Sequence, residues 1–468
     1  MDKVKRKIVK NVLIRDFAAE AKCVTRINNQ VVFVENVAPG DIVDLEVLRK
    51  KKNFLEGRAL RVIKYSKKRD EPFCEHFGTC GGCRWQHIGY EHQLEFKRHE
   101  VIDAFQRIGK LEFPEVKPTL GSGQGKFYRN KLEFTFTSRR WLSKKEIESG
   151  QPVDRNGLGF HKAREFDKVI NIRNCYLQPE PSNTIRNSLR EFALEHKITF
   201  FDVQENTGFL RTMIIRTSNT GEVMVILQVT ERDTRLITLL MNFLYENFPI
   251  IKSLNYVVNN KPNDTFLDLE VVTFSGKPYI TERMGDLMFR ISPKSFYQTN
   301  SEQAHRLYKV MKEKADPGKD DIVYDLYTGA GTIAVYLAGS VKKVIGVESV
   351  EQAVEDAKIN AAINNITNVS FFCGDVKDIL SKDFFEKNGR PGLVVTDPPR
   401  AGMHERVVEA LLRVRPARII YISCNPATQA RDIALMKEKY VVAAVQPVDM
   451  FPHTHHIENI VLLTERKA

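Results

Sequence analysis

Two side chains near the C-terminus have types and positions that could do chemistry. Tyr421-Ile422-Ser423-Cys424-Asn425-Pro426 closes an apolar run with a thiol, and Phe451-Pro452-His453-Thr454-His455-His456-Ile457-Glu458 sets a carboxylate just before the last apolar run. A thiolate is a strong nucleophile near neutral pH, and a carboxylate can remove a proton in a transition state. Each also has an ordinary structural reading. A lone cysteine on a buried strand usually packs as a small hydrophobe, and a glutamate there could be only a polar strand entry. The three histidines invite a metal, but metal sites need acidic or thiolate partners at defined spacing, and none is evident beside them.

Upstream lies a candidate cofactor loop. Asp325-Leu326-Tyr327-Thr328-Gly329-Ala330-Gly331-Thr332 closes a strand and opens a helix, where glycines let a ligand approach and the helix N-terminus offers free amides. Glu348 ends the next strand 23 positions after Asp325, which suits a carboxylate accepting hydrogen bonds from two ribose hydroxyls. Gly329, Gly331 and Ala334 also satisfy a loose dinucleotide fingerprint, so NAD competes with S-adenosylmethionine. The latter is preferred because the residues that follow do not suit hydride chemistry. The next strand ends in Thr396-Asp397-Pro398-Pro399-Arg400, whose prolines fix the loop and leave Asp397 facing the crevice. A rigid turn is the plain alternative. Adenine N6-methyltransferases carry a proline-rich loop here too, but with an aromatic residue where this chain has Arg400.

Thiol, carboxylate and methyl donor together match the demands of methylating a pyrimidine at C5. That carbon is a poor nucleophile until something adds to C6, which a thiolate does well. After transfer a base must remove the C5 proton before the thiol can leave.

A third constellation is Cys74-x5-Cys80-x2-Cys83 with a distant Cys175. Four thiolates fit either a [4Fe–4S] cluster or zinc, and His76 or His87 could replace one ligand. Cys23 and Cys373 have no partner in this pattern and read as structural.

These residues need elements to position them. The chain of 468 residues, 42% hydrophobic and 28% charged, can build two to four cores. It contains no apolar run of 18 residues, so no transmembrane helix is expected. Met1–Arg6 is charged and lacks an apolar stretch, so no export signal is expected, and the seven cysteines should stay reduced or bind metal. Of the net charge of +12, residues 1–70 carry +9, from 18 Lys/Arg against 9 Asp/Glu. Arg49-Lys50-Lys51-Lys52 and Lys67-Lys68-Arg69 are its densest runs. Such a field suits a polyanion, although a solvated lysine-rich face is equally consistent with charge alone.

Residues 1–65 read as short strands (Val31–Val34, Ile42–Leu48, Gly57–Ile63) of an OB-type β-barrel. Residues 66–289 read as a central α+β domain holding the cysteines, with a helix over Tyr90–Ile108. Its strands are Leu132–Thr137, Gly157–His161, Leu210–Arg216, Val223–Val229 and Val271–Phe274, interrupted by one amphipathic helix near Arg232–Asn247. Residues 290–468 alternate seven apolar runs with helices. This predicts an α/β, Rossmann-like class I methyltransferase domain whose last two strands form an antiparallel edge hairpin.

The first region resembles a TRAM domain in Phe33-Val34 and Pro39-Gly40-Asp41, departing from it at Ala18-Ala19 and Asn28-Asn29, where glycines are usual. The C-terminal half resembles the RNA uracil-5-methyltransferase family. The motifs are Phe296-Tyr297-Gln298-Thr299-Asn300, the 325–332 loop, Asp397-Pro398-Pro399-Arg400, Ser423-Cys424-Asn425-Pro426 and His456-Ile457-Glu458. The resemblance implies Cys424 as nucleophile, Glu458 as proton acceptor, and Gln298, Tyr327, Glu348 and Asp397 around S-adenosylmethionine. Tyr128-Arg129-Asn130-Lys131 matches a further family segment and is a candidate RNA contact. The cysteine pattern is similar to the iron–sulfur subfamily that modifies large-subunit ribosomal RNA, which implies a [4Fe–4S] cluster on Cys74, Cys80, Cys83 and Cys175, with zinc as the alternative. The tRNA-modifying relatives are expected to lack both the cluster and the TRAM domain.

The sequence therefore predicts a cytoplasmic, monomeric enzyme acting on 23S ribosomal RNA. The rivals are a tRNA uridine-5 or RNA cytosine-5 methyltransferase and, from another class, a metal-stabilised RNA-binding or ribosome-assembly factor.

Overall fold

The computed structural model describes residues 7–163 and 165–466. Met1–Arg6, and with it the expectation of no export signal, lies outside the described residues. Among the described residues no helix is long and apolar enough to cross a membrane.

The N-terminal region is a six-stranded sheet in the order Lys7–Leu13, Ile42–Lys50, Phe54–Lys64, Gln30–Glu35, Lys22–Ile27, Asp16–Ala18. Alternating side chains such as Val32 and Val34, or Val43, Leu45 and Val47, point into one small core that also buries Cys23. The Cys23 thiol donates to Val37 O at 3.1 Å, a structural role as expected. The Arg49–Lys52 run is exposed where the two longest strands turn. The sheet docks on the rest of the molecule through Phe17, whose ring lies 3.6 Å from that of Phe96 and 5.3 Å from that of Trp85.

The central domain is a seven-stranded sheet in the order Val272–Gly276, Ile251–Val258, Val223–Val229, Leu210–Thr217, Lys131–Thr137, Gly157–Lys162, Glu165–Asn171. Its middle strands are buried on both faces, and the period of two divides them cleanly. Met213, Ile215, Val225 and Leu227 face a helical layer, whereas Ile214, Met224 and Ile226 join the core of the C-terminal domain. That helical layer departs from the expected single helix. Ser182–Glu195 packs beside Thr234–Asn247, with Phe192 stacked on Phe243 at 4.0 Å. Ile185, Leu189, Phe192 and Ala193 do recur at helical spacing, but the polar start after Pro179 and Pro181 obscures them. The helix expected over Tyr90–Ile108 runs Tyr90–Asp103 and continues as a π-helical turn, Ala104–Gly109.

The expected boundary at 290 cuts a strand. Ile280–Met284 and Leu287–Ile291 form a hairpin, and Ile280, Met284, Phe289 and Ile291 pack into the C-terminal core, so the hairpin belongs with the domain that follows it. The C-terminal sheet has seven strands: β1 (Ile322–Leu326), β2 (Lys343–Glu348), β3 (Val369–Cys373), β4 (Leu393–Thr396), β5 (Arg418–Ser423), β6 (Tyr440–Val448) and β7 (Glu458–Glu465). Their order is β3-β2-β1-β4-β5-β7-β6. Only β7 runs antiparallel, between β5 and β6. The expected class I architecture with its terminal hairpin is what the chain forms.

The segment between β6 and β7 is clasped from outside its own domain. Arg84 N and Trp85 N both donate to His453 O, at 2.8 and 2.9 Å, and Tyr128 Oη donates to Pro452 O at 2.9 Å. Lys97 Nζ donates to Asp449 Oδ1 at 2.6 Å with both side chains fully buried, while Tyr90 Oη donates to Asp449 Oδ2 at 2.8 Å. Removing one partner of such a pair strands a charge in a dry interior. Lys97→Ala should therefore cost about 3–5 kcal/mol, read as a lower urea midpoint for unfolding, with Asp449→Ala as costly.

Candidate active site

The parallel strands β1, β2, β4 and β5 all end at one edge of the sheet, where Leu326 pairs with Val347 and Thr396, and Thr396 with Tyr421. The residues just past these ends are therefore neighbours: Tyr327 after β1, Asp397 after β4 and Cys424 after β5, with Glu348 closing β2. Glu458 reaches the same edge by the opposite route. Because β7 is antiparallel to β5, its first residue lies beside the end of β5, with Ser423 paired to Asn459. Thiol and carboxylate, 34 positions apart in the chain, are thus brought to one site by strand direction.

The electrostatics confirm the grouping. Burial pushes the Cys424 thiol up to about 11, and the Glu458 and Asp397 carboxyls push it the same way while Arg400 opposes them. Burial and the neighbouring Asp397 hold Glu458 well above the usual carboxylate range. Asp397 itself is raised to about 7 by burial. Two carboxyls this close in a dry site resist ionising together. The histidines beside them are poor bases: burial lowers His453 and His455 to about 4 and His456 to about 3.

The loop after β1 is shaped for a ligand. Tyr327, Gly329 and Gly331 all have positive φ (64°, 55° and 77°). A Cβ on Gly331 would stand 2.9 Å from Ala357 Cβ, but one on Gly329 would meet only open space. The loop thus presents an uncovered backbone surface at the start of helix Thr332–Ala338, where a ligand could lie. Glu348 faces this loop: its Oε2 accepts from Gly329 N at 3.0 Å, and its Oε1 from Ser349 N and Val350 N at 2.7 and 3.0 Å. Gln298 is tied in from the other side, its carbonyl accepting from Asn130 Nδ2 at 2.9 Å. Tyr327, Glu348 and Asp397 therefore border one edge, with Asp397 adjoining Cys424 and Glu458 as well.

Tyr128–Lys131 does more than the sequence suggested. Tyr128 is buried against the β6–β7 segment, Arg129 lies over the Phe451 ring at 5.0 Å, and Asn130 also donates to Ser301 Oγ at 2.8 Å. Arg129 and Asn130 line an open cleft of about 530 Å3 between the central and C-terminal domains.

Cys74, Cys80, Cys83 and Cys175 come together as expected, lining a separate cavity of about 160 Å3 with Phe77, Leu132, Phe160 and Leu177. Burial raises all four thiols, Cys80 and Cys83 to about 12. Among the described residues no three His, Cys, Asp or Glu side chains converge tightly enough to grip a single metal ion. The four thiols line one space, and a set of four thiolates fits either a [4Fe–4S] cluster or zinc. Thr454, from the β6–β7 segment, shares the wall of that cavity. Two features escaped the sequence reading: the buried Lys97–Asp449 pair that anchors this segment, and Arg400 Nη2 lying 3.0 Å from His456 Nδ1.

Comparison with known proteins places these observations in a family. Residues 275–466 match the tRNA (uracil-5-)-methyltransferase family, and residues 3–60 match the TRAM domain. A protein named as an uncharacterized RNA methyltransferase in Bacteroides thetaiotaomicron is 51% identical, over 96% of this chain and 100% of its own length. One of the same description from Porphyromonas gingivalis is 50% identical over 96% and 98%. The crystal structure of Pyrococcus abyssi tRNA (uracil-54, C5)-methyltransferase in complex with S-adenosyl-L-homocysteine superposes with a TM-score of 0.75 at 30% identity, over 97% of this chain and all of its own. This corrects one expectation. A tRNA-modifying enzyme shares nearly the whole architecture, so the N-terminal domain does not by itself separate a ribosomal target from tRNA.

Asp325, one layer below the site, gives a test of the electrostatics. Its carboxyl is fully buried, accepts from Thr328 Oγ1 at 2.5 Å and is pushed up to about 7 by burial. A carboxyl raised on folding favours the folded state only while protonated, so its cost grows as pH rises from about 4 to about 7 and is constant above. Asp325→Asn removes that cost. Relative to the unmodified chain, its stability in a urea series should improve by roughly 1.4 kcal/mol per pH unit across that window and level off above it.

Proposed function

The chain belongs to the RNA uracil-5-methyltransferase family, and from that premise we propose that it methylates C5 of a uridine in large-subunit ribosomal RNA through a covalent adduct on Cys424. The observation that carries this reading is the meeting of Cys424 and Glu458 at the sheet edge beside the 325–332 loop. S-adenosylmethionine, when bound, supplies an electrophilic methyl group. Glu348 would hold its ribose and Gln298, Tyr327 and Asp397 its remaining surface, and the open backbone at Gly329 fits such a ligand.

Cys424, as thiolate, adds to uracil C6, and the electron pair of the C5–C6 bond becomes available at C5 for methyl transfer. C5 then carries a methyl group and one surplus proton. Glu458 takes that proton, the electrons of the C5–H bond re-form C5–C6, and the C6–S bond breaks to return the thiolate. Burial keeps Glu458 a stronger base than an exposed carboxylate, and the low basicity of His455 and His456 supports Glu458 rather than either of them in this role.

Cys424→Ala should give neither product nor adduct. Glu458→Gln should still add and transfer, then stall, accumulating a methylated protein–RNA complex on a denaturing gel with labelled cofactor. Normal turnover by Cys424→Ala would remove it as the nucleophile.

A second reading, a tRNA uridine, is favoured by the Pyrococcus abyssi enzyme named above. Mass-spectrometric mapping of 5-methyluridine in ribosomal and transfer RNA from a deletion strain decides between them. The ribosomal reading rests on the resemblance of the cysteine pattern, and the exposed basic run Arg49–Lys52 supports an RNA partner of either kind.

We propose a [4Fe–4S] cluster for the four-cysteine cavity. It would take Cys74, Cys80, Cys83 and Cys175 as thiolates and lock the 74–83 loop to the strand-rich domain. Anaerobically purified protein should be brown with about four irons per chain. Stoichiometric zinc without iron would replace this assignment.

A further inference from the structure

Arg186 lies near the start of helix Ser182–Glu195 and is among the largest side chains that the fold buries completely. All of its partners are neutral. Nη1 donates to Asn183 Oδ1 at 3.0 Å, Nη2 donates to Arg173 O at 2.6 Å and to Asn187 Oδ1 at 3.1 Å, and Nε finds no acceptor among the described residues. Glu180, just before the helix, directs its two carboxylate oxygens to Asn183 and Thr184 instead. Arg211, buried almost as deeply, does pair with a carboxylate, Asp264, at 2.8 Å. Burial lowers the Arg186 guanidinium to about 10, so it keeps its charge at neutral pH. A charge held out of water without a counter-charge is costly, so an anion belongs close to this one.

Three paths lead from Arg186 to the four-cysteine cavity. Asn183 is clamped on Cys175 from both ends, its Oδ1 accepting from Cys175 N at 2.8 Å and its Nδ2 donating to Cys175 O at 3.2 Å, and the same Oδ1 receives Arg186 Nη1. Arg173, whose carbonyl receives Arg186 Nη2, donates its own N–H to His76 Nε2 at 3.2 Å, and His76 lines the cavity. The guanidinium lies 4.8 Å over the Phe134 ring, which packs at 5.0 Å on Phe160 in the cavity wall. Helix Ser182–Glu195 therefore sets one buried cation behind the Cys175 side of the cavity. The other charged groups acting on the thiols are open to water: Arg129 also lines the interdomain cleft, and the Glu75 side chain is exposed.

We propose that Arg186 is the built-in counter-cation of a negatively charged metal–thiolate group in this cavity, holding that group by its charge and not by ligation. This rests on the reading of Cys74, Cys80, Cys83 and Cys175 as thiolate ligands. Four thiolates around one zinc ion or one oxidised [4Fe–4S] core leave a net charge of about −2. A charge of that sign is what the buried guanidinium lacks, and a cation is what such a group requires once it is out of water, so each lowers the other's desolvation cost. Arginine suits the place because its planar fork spends its hydrogen bonds on Asn183, Asn187 and the Arg173 carbonyl while keeping its full charge. Arg186 is thus a positioning residue, fixing the Cys175 arm through Asn183 and the bound group through its field.

The test compares two substitutions in full-length protein purified anaerobically with its metal. Arg186→Gln can still reach the Arg173 carbonyl but carries no charge, whereas Arg186→Lys keeps the charge and loses the fork. Competition against a chromophoric chelator for iron or zinc, whichever the protein holds, reads the outcome. Arg186→Gln should hold its metal about 10–100-fold less tightly than the parent chain, and Arg186→Lys should recover most of that loss. If the metal is iron, the midpoint potential of the cluster should also become more negative in Arg186→Gln and return toward the parental value in Arg186→Lys, because reduction adds an electron to a group that has lost its cation. Parental metal affinity in Arg186→Gln overturns the proposal. So does a loss in Arg186→Lys as large as in Arg186→Gln, which would make the hydrogen bonds and not the charge responsible. S-adenosylmethionine binding reports that each variant is folded, and if Arg186→Gln does not bind it, Arg186→Met, which fills the volume without a charge, is read in its place. A parent chain that takes up neither iron nor zinc removes the thiolate site and this role with it, a result that the metal content shows before any variant is made.

Discussion

The direction of β7 is the constraint from which the active site follows. In a purely parallel sheet every strand begins at the edge away from the ligands, and a residue before the last strand would be a sheet's length from Cys424. By running antiparallel between β5 and β6, β7 starts at the ligand edge and delivers Glu458 beside the end of β5. The same insertion buries Glu458, and burial with Asp397 close by holds its carboxyl well above the usual carboxylate range. Position and basicity thus have one origin.

That delivery depends on the segment between β6 and β7 being held still, and most of its restraints come from elsewhere in the chain. Arg84 and Trp85, directly after the last cysteine of the 74–83 loop, grip His453 through its carbonyl. Helix Tyr90–Asp103 supplies the buried Lys97 for Asp449 and Gln93 for His453. Tyr128 and Asn300 bind the carbonyls of Pro452 and Met450. The cysteine cavity is therefore mechanically adjacent to the segment that leads into Glu458, with Thr454 in its wall. The loop that carries three of the cysteines thus runs directly into the residues that hold the β6–β7 segment.

The N-terminal sheet stands one step further out. It contacts the same helix through Phe17 on Phe96 and leaves its basic hairpin turn exposed. The molecule is thus layered, from an exposed cationic surface, through a cysteine-bearing loop and helix, to the segment that leads into Glu458.

Much of this was legible in the chain itself. The seven C-terminal strands could be read from apolar runs, because strands buried largely on both faces carry few polar residues, and Tyr327, Glu348, Asp397 and Cys424 sit at or just past the ends of those runs. Cys424, Glu458 and Glu348 were read that way, and the four cysteines from their spacing. Elements whose signal is amphipathic and flanked by prolines, such as Ser182–Glu195, were lost, since a short periodic stretch is ambiguous without its packing partner. The hairpin at 280–291 was divided between domains because only its burial shows to which core it belongs. What the sequence could not decide was anything resting on residues distant in the chain. The Lys97–Asp449 pair spans 352 positions, and the Arg400–His456 contact joins two loops 56 positions apart. Composition and spacing select which elements form. The environment that sets the protonation of Cys424, Asp397 and Glu458 exists only once those elements exclude water together, and that belongs to the tertiary structure.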